Sequence, residues 1–329
     1  MTSPEAVVAP LPTPLGKFEA PLAALVAATA FSAVFLVPLF GVVGLPLASV
    51  PLVRLAHRQG LVAALAACAL ACAILFGLGW ALGGLGAGVA LAFVGAGVTT
   101  LPPASVGFLR AGAEPSRCYL GLCIAGCAFL AAAFAAGVGG PGPSLTAEVA
   151  SSFDRLIPAA MDSYARSGAD TETVARMRGI LEAAREFSQY CLWGILGGLW
   201  VLGGAIAFYL GARLARPGAT ADSARFQDLR VPAAGAGFFV AAGAGFGLLQ
   251  GDARRVAANL LLPLLALYFV AGLSIICHFF RRWFRARILR IGLYALAAYF
   301  PINIGVALLG LFDWHVDFRR RGEGVVEKS

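Results

Sequence analysis

The sequence has few charged residues. Charged side chains make up 13% of the 329 residues and hydrophobic ones 60%, whereas about a quarter of a soluble domain is charged. A charge at the centre of a bilayer costs about 2.5–3.5 kcal/mol, so uncharged runs are typical of membrane helices. Such runs hold most of the chain, which excludes a soluble enzyme or a disordered protein. The uncharged runs, here called windows, are 20–53, 59–109, 118–147, 187–212, 231–251, 256–280 and 291–312.

The common catalytic and nucleotide-binding motifs are also missing. The chain has no G-x-S-x-G, no H-E-x-x-H and no Walker A pattern. No carboxylate or arginine lies inside the uncharged windows, which argues against a proton relay, a voltage sensor or a buried ion-coupling site. We therefore expect a protein that is not an enzyme and has no cofactor; an intramembrane enzyme is the least favoured alternative.

The seven cysteines lie in or beside the uncharged windows rather than in a polar loop. The pairs Cys68/Cys72 and Cys123/Cys127 are spaced i,i+4, which places each pair on one helix face. No further His, Cys or carboxylate occurs near either pair, so they predict no metal site. Their positions indicate small packing residues rather than a disulfide framework.

The uncharged windows predict an all-α fold, a polytopic transmembrane helical bundle with about eight full spans, since a crossing needs about 20 residues. Gly83-Gly84-Leu85-Gly86 divides the longest window into two spans. Prolines interrupt the first window, leaving one short helix that either crosses or re-enters. In chain order the predicted elements are 21–40, the short helix 45–56, 60–82, 87–109, 118–137, 188–212, 232–250, 256–280 and 291–312.

Three segments lie outside this predicted bundle of residues 21–313. Residues 1–20 are expected to form a disordered tail and residues 314–329 a basic C-terminal tail. Residues 144–187 predict an amphipathic helical hairpin that turns before Asp170, an N-cap candidate, and continues into the span at 188–212. The hairpin would be a lid over a pocket or a cap on the membrane interface. Its apolar repeats are Val149, Phe153, Leu156, Ala160 and Tyr164, then Val174, Met177, Leu181 and Ala184.

The net charge of +8 does not indicate nucleic-acid binding, because the arginines lie between membrane windows and no basic stripe occurs on a soluble domain. Arginine in short loops instead marks the cytoplasmic side of a membrane and favours contact with anionic lipid headgroups. The loops around Arg58, Arg110, Arg230 and 281–290 share one side if 41–56 crosses. Arg319–Arg321 fit that side only if the last segment re-enters near Pro301 or the number of spans is off by one.

Two groups of polar residues are candidate sites. Inside the windows, Asn303, Thr99, Thr100 and Asn259 are candidate ligand-binding residues. The alternative is that Asn303 satisfies a carbonyl freed near Pro301 and that the threonines bond to their own helix. At span ends, basic, acidic and aromatic side chains predict interface anchors, namely Arg281, Arg282, Trp283, Arg285, Asp313, Trp314, Asp317 and Arg319. Asp313 and Asp317 share a helix face, but a metal or substrate mouth there would lack a facing third ligand.

The string Gly-Leu-Phe-Asp-x-x-x-Asp-Phe-Arg at 310–319 resembles the YybS-like family of bacterial membrane proteins, the DUF2232 group. The proline-containing short element before Arg54, the hairpin before 188–212 and the Phe-x-x-Leu-Arg-Val-Pro stretch at 226–232 also resemble it. Family members are distantly similar to the S components of energy-coupling-factor vitamin transporters. The resemblance therefore implies a helical membrane fold with a small-molecule cavity and no catalytic residues.

Two functions are compatible with these features. The first is capture or transport of a small, largely uncharged solute in a cavity near Asn303, under the hairpin, with an ATPase partner as energy source. The second is a membrane scaffold or assembly protein whose arginine-rich loops dock cytoplasmic partners. A polar-lined cavity of several hundred Å³ would favour the first, and a close-packed core the second.

Overall fold

The computed structural model describes residues 16–36, 38–135, 145–215, 225–283, 286–299, 301–316 and 318–319. Over these ranges the chain is helical and contains no β-strand. The helix Thr171–Ala205 continues through a π-helical turn (Ile206–Leu210) and the short helix Gly211–Leu214. The helices are α1 Gly16–Leu36, α2 Pro38–Gln59, α3 Leu61–Arg110, α4 Pro115–Ala135, α5 Leu145–Arg166, α6 Thr171–Ala205, α7 Ala233–Leu248, α8 Gly251–Trp283, α9 Arg287–Ala298 and α10 Ile302–Val316.

Four of the described helices are long and apolar enough to cross a membrane: Leu61–Arg110, Pro115–Ala132, Thr171–Leu214 and Gly251–Phe280. Shorter apolar helices lie at Phe18–Ala33, Ala233–Leu248 and Ile302–Val316. The 16 residues of α7 measure about 24 Å at 1.5 Å per residue, less than the hydrocarbon thickness of about 30 Å. The chain is therefore a multi-pass helical membrane protein, and the expected eight full spans are not confirmed.

Helix α3 is a hairpin of two antiparallel arms. Gly83 and Gly84 leave helical backbone angles, and φ at Gly84 is +78°, a conformation open to glycine because it has no Cβ. The arms then pack closely, since a Cβ on Gly79 would lie 2.8 Å from the Cα of Gly88. The division that the sequence predicts at Gly83–Gly86 coincides with this turn.

The second arm of α3 contains the Pro102-Pro103 pair in a buried position. Proline has no N–H, so the carbonyls four residues earlier, those of Val98 and Thr99, lose their helical partners. Ser49 Oγ of α2 donates to the Val98 carbonyl at 2.7 Å, and the Cys68 thiol of the first arm donates to the Thr99 carbonyl at 3.1 Å. Two side chains from other segments thus complete the backbone hydrogen bonding of the helix.

Helices α5 and α6 form the predicted amphipathic hairpin, and α6 continues from it into the bundle. Asp170 caps α6 by accepting a 2.9 Å hydrogen bond from the Thr173 N–H. Arg185 Nη2 lies 2.7 Å from Asp154 Oδ1 and ties the two arms together. Leu156 of the predicted apolar repeat is 54% exposed, and the less exposed side of α5 follows Phe153, Ile157 and Met161 at four-residue spacing.

The predicted span at 291–312 is not one helix. Helix α9 ends before Tyr299, whose ψ of 138° is extended, and α10 begins after Pro301. Pro301 has no N–H to donate to the preceding helical turn, which explains why one helix does not run through it. Helix α10 then packs closely on α8, where the carbonyl of Val306 occupies the place of a Cβ on Gly272. The break is shown, whereas the two alternatives that the arginines leave, re-entry near Pro301 or a number of spans that is off by one, stay predictions.

The bundle has two chemically different ends. At one end, which we call the arginine-rich end, Arg58 pairs with Glu19 and Arg110 Nη2 donates to the carbonyl of His57 at 3.0 Å. Arg319 also lies at this end, with its guanidinium 2.6 Å from the carbonyl of Gln227. The turn of α3 and the α5–α6 hairpin lie at the opposite end, which we call the hairpin end.

The predicted tails need two corrections. Helix α1 begins at Gly16, so the N-terminal tail ends before residue 20, and residues 1–15 lie outside the described part. Helix α10 continues to Val316 and Arg319 is buried, so residues 314–316 and Arg319 are part of the bundle rather than of a tail.

Candidate ligand cavity

A cavity of about 400 Å³ opens at the arginine-rich end. The first turns of α4, the stretch that leads into α7 and the last turns of α10 enclose it. Its volume falls within the range of about 300–1,000 Å³ that is typical of small-molecule sites. It is lined by Glu114, Ser116, Arg117, Leu120, Arg230, Val231, Pro232, Ala233, Asp313 and Trp314.

The start of α4 is joined to residue 230 through Ser116. The backbone N–H of Arg230 donates to Ser116 Oγ at 3.1 Å, and Ser116 is buried. Arg117, one residue further along α4, is exposed and lies with its Nε 3.3 Å from Glu114 Oε2. Because α4 and α7 both begin at this cavity, the positive ends of two helix dipoles lie beside it.

Arg319 forms a buried polar cluster next to the cavity. Its side chain is 7% exposed, and it donates to the carbonyls of Gln227 and Leu229 at 2.6 and 2.7 Å and to Ser274 Oγ at 2.8 Å. Residues 226–232 carry no α-helix, so their carbonyls need partners from elsewhere in the chain. A planar guanidinium supplies several donors at fixed angles and suits this task.

Asp313 connects this cluster to the cavity wall. Its Oδ2 lies 3.4 Å from Arg319 Nη2, and both side chains are largely buried. Burying an arginine is costly unless a carboxylate balances its charge. The prediction that Arg319 anchors the chain at lipid headgroups is therefore wrong, because carbonyls, a hydroxyl and Asp313 surround its guanidinium instead.

Thr99 and Thr100 bond to their own helix. Their hydroxyls donate to the carbonyls of Gly95 and Ala96 at 2.7 and 2.5 Å, and neither residue lines the large cavity. Thr99 also receives contacts from two thiols, since its carbonyl accepts from Cys68 and its hydroxyl lies 3.8 Å from the sulfur of Cys72. These contacts support the alternative interpretation, in which the threonines are structural.

Asn259 joins α8 to a distortion in α6. Its Oδ1 accepts from the N–H of Gly194 at 2.7 Å, and its Nδ2 donates to the carbonyls of Tyr190 and Arg255 at 3.0 and 2.8 Å. The α6 backbone is non-helical at Cys191, which frees these groups. The amide of Asn259 is occupied by backbone, and the residue lies at the hairpin end, away from the large cavity.

Asn303 begins the first turn after Pro301, and its N–H donates to the carbonyl of Tyr299 at 3.0 Å. Its Oδ1 is enclosed and has no hydrogen-bond partner among the residues that the structure describes. Asn303 does not line the 400 Å³ cavity. The expected ligand site near Asn303, covered by the hairpin, therefore differs from the cavity observed, which lies at the opposite end of the bundle from the hairpin.

The other predicted anchors fall into two groups, those that line the cavity and those that the structure does not describe. Trp314 and Asp313 line the cavity, and Trp314 is 52% exposed. Helix α8 extends to Trp283, but the side chains of Arg281, Arg282 and Trp283 lie outside the described part of the chain, as do residues Arg285 and Asp317. Their role as anchors stays a prediction.

A second polar site lies where α2 ends. His57 is buried, and neither ring nitrogen has a hydrogen-bond partner within the described ranges. Burial, and next the nearby charge of Arg110, lower the pKa of His57 to about 4. The imidazole is therefore neutral at physiological pH.

Sequence reasoning missed most of the cavity lining. Glu114, Ser116, Arg117 and Arg230 looked like ordinary loop residues, and a usable signal was the Leu-Arg-Val-Pro string at 229–232, which breaks the helix between two windows. The described residues contain no cluster of three His, Cys, Asp or Glu side chains that could hold a metal ion.

The comparisons with known proteins agree with this architecture. A family model described as "Predicted membrane protein (DUF2232)" matches residues 24–314. No curated protein and no solved structure matches the chain. The match includes α4, the stretch that leads into α7 and most of α10, which together form the cavity. The chain therefore belongs to the DUF2232 family of membrane proteins.

Proposed function

We propose that the protein is a non-enzymatic ligand-binding protein of the bacterial cytoplasmic membrane, and that its ligand occupies the cavity at the arginine-rich end. The observation that carries this proposal is the cavity of about 400 Å³ with both charged and apolar walls. Small-molecule sites combine a mostly apolar surface with a few polar groups that orient the ligand.

The residues that line the cavity indicate which kind of ligand it would hold. Glu114, Arg117, Arg230 and Asp313 all carry formal charge, whereas Leu120 and Trp314 do not. This combination favours a ligand with an ionic group at one end, rather than the largely uncharged solute that the sequence suggests. The resemblance to S components implies that the protein binds its ligand for transport. A separate ATPase would then supply the energy.

The test fills the cavity. Leu120 is half-buried in its wall, so Leu120→Trp should reduce ligand binding, whereas Leu70→Trp changes an exposed leucine on the first arm of α3 and is the matched control. We expect a small molecule or lipid to co-purify with the wild type and Leu70→Trp and to be lost from Leu120→Trp, as measured by mass spectrometry. Equal retention in all three proteins would contradict the proposal.

A scaffold function is the second candidate, favoured by the close packing of the bundle interior. The cavity beside Ser49 and Trp200 measures only about 10 Å³, the space of one water molecule. A scaffold would keep its partner proteins in Leu120→Trp and lose them when exposed arginines such as Arg54 and Arg225 are replaced by glutamate. Quantitative affinity purification separates the two functions.

A further inference from the structure

The cavity at the arginine-rich end is lined by charged side chains of both signs. Glu114 and Asp313 carry negative charge and Arg117 and Arg230 positive charge, so the formal charges of the lining sum to zero. A ligand with a net charge would leave that charge unbalanced in a partly enclosed site. An uncharged ligand would desolvate these groups without offering them partners. A ligand that carries one positive and one negative group avoids both costs.

The ion pair between Glu114 and Arg117 is accessible to such a ligand. Arg117 Nε lies 3.3 Å from Glu114 Oε2, and the two side chains are 82% and 55% exposed. Exposed ion pairs contribute little to stability, so a ligand can separate the two side chains at small cost. The pair between Asp313 and Arg319 is buried, and separating it would cost much more. The ammonium and carboxylate of an α-amino acid share one carbon atom, so together they can face an acid and a base that are themselves neighbours.

The helix ends around the cavity give its walls opposite polarity. Helices α4 and α7 begin here, and their first N–H groups, together with Arg117, favour a negative group. Ser116 lies in the α4 wall and is 6% exposed. Its hydroxyl accepts from the Arg230 N–H, which leaves the hydroxyl proton for a carboxylate. Helix α10 ends at the cavity, and its last carbonyls favour a positive group.

Trp314, on the last turns of α10, is suited to bind an ammonium group. It lines the cavity and is 52% exposed. The face of an aromatic ring attracts cations, and the indole does so most strongly. Within the described ranges, arginines lie over the rings of Phe246 and Tyr190, and none lies over Trp314. No arginine of the described chain therefore competes with a ligand for this ring.

We infer that the cavity binds a small zwitterion of the α-amino-acid type. The ammonium of this ligand lies at Trp314 and Glu114. Its carboxylate lies at Arg117 and Ser116, and its apolar part lies against Leu120. The inference rests on the proposed ligand-binding function and names its ligand class. An ethanolamine phospholipid also combines an ammonium with an acidic group, so the experiment includes this second source of the same chemistry.

The experiment compares probes that share one apolar group. Delipidated protein in dodecyl maltoside is titrated with leucine, with isopentylamine, which lacks the carboxylate, and with isocaproate, which lacks the ammonium. Binding at neutral pH is measured by isothermal titration calorimetry. We expect leucine to bind about tenfold more tightly than either analogue, because each analogue loses one charge-assisted interaction. Phosphatidylethanolamine is the fourth probe, and its binding is measured by native mass spectrometry.

Single substitutions at the exposed ion pair should change the preference among the probes in opposite directions. Glu114→Gln leaves the lining with a net positive charge, so leucine should bind more weakly and isocaproate should gain relative to isopentylamine. Arg117→Gln leaves a net negative charge and should favour isopentylamine instead. Arg54→Gln is the matched control, because Arg54 is exposed on α2 at the same end and does not line the cavity. It should leave the order of the probes unchanged.

Four outcomes would contradict the inference. A change of preference in the same direction in E114Q and R117Q, or an equal change in R54Q, would show that general surface charge determines binding. If the three small probes bind the wild type equally tightly and L120W abolishes their binding, the proposed function survives and the zwitterion inference fails. Binding of phosphatidylethanolamine alone would assign the same chemistry to a lipid and overturn the assignment to an amino acid. Absence of binding by all four probes would count against both proposals.

Discussion

Arg319 Nη2 lies 2.7 Å from the carbonyl oxygen of Leu229, a residue ninety positions earlier in the chain. Arg319 also forms a buried ion pair with Asp313. Breaking a buried ion pair by removing one partner typically costs about 3–5 kcal/mol of stability. We therefore expect Arg319→Ala to lower the thermal stability of the purified protein strongly and to increase proteolysis within 225–232. Arg319→Lys should recover part of the loss, because lysine keeps the charge but not the fork of donors.

The ion pair between Arg319 and Asp313 also provides an internal control. Asp313→Asn in the R319A background should restore some stability, since it removes the carboxylate that R319A leaves buried without its arginine. If the double variant is as unstable as the sum of the two single variants, the ion pair does not stabilise the cavity wall.

Ser49→Ala tests how the Pro102-Pro103 segment is stabilised. The substitution leaves the Val98 carbonyl buried without its hydroxyl donor, so the free energy of unfolding should fall by about 1–3 kcal/mol. Ser32→Ala is the control, because Ser32 Oγ bonds to the carbonyl of Ala28 in its own helix. Equal melting temperatures for S49A and S32A would show that the Val98 carbonyl does not depend on Ser49.

Asn259→Ala distinguishes a structural role from a ligand-binding role. It removes hydrogen bonds to Gly194, Tyr190 and Arg255, so we expect lower stability with or without ligand. Asn259→Asp should lower the stability at least as much, because a carboxylate cannot donate to the carbonyls of Tyr190 and Arg255. Thermal-shift curves with and without the co-purified ligand measure this, and a variant that keeps wild-type stability but loses the ligand would restore Asn259 as a binding residue.

His57 predicts a pH dependence of stability. Its pKa in the folded protein is lowered to about 4 from 6.5, so the unfolded chain binds a proton first as the pH falls. Stability should be constant above pH 6.5 on this account and decrease between pH 6.5 and 4. In His57→Leu the decrease over that interval should be smaller, as measured by thermal unfolding at fixed ionic strength; an unchanged profile would exclude His57 as the cause.

Local signals in the sequence predicted several parts of the fold. The turn at Gly83-Gly84 and the Asp170 cap depend on backbone conformation and on neighbouring residues, and the uncharged windows reflect the solvent around each helix. The break at Pro301 carried a local signal too, but a 22-residue window without charge suggested a single crossing. Proline geometry outweighed the hydropathy of the window.

The cavity depended on contacts that no local pattern contains. Ser116 meets residue 230, and Arg319 meets residues 227, 229 and 274, all far apart in the sequence. Arg319 looked like a headgroup anchor because arginines near span ends usually are, and its buried position requires knowledge of the carbonyls that surround it. As a polar residue in an uncharged window, Asn259 is predicted to bind a ligand, but its backbone partners across the α6 distortion are far away in the sequence.

Helix α6 and its continuation form a 44-residue rod of about 66 Å, which starts in the hairpin and finishes against α2 at the arginine-rich end. Near its middle, the distortion at Cys191 is clamped to α8 by Asn259. The hydrogen bonds from Asn259 thus fix the rod to α8 at one point between its two ends. One continuous helical segment, fixed to α8 near its middle, therefore joins the hairpin end of the molecule to the arginine-rich end.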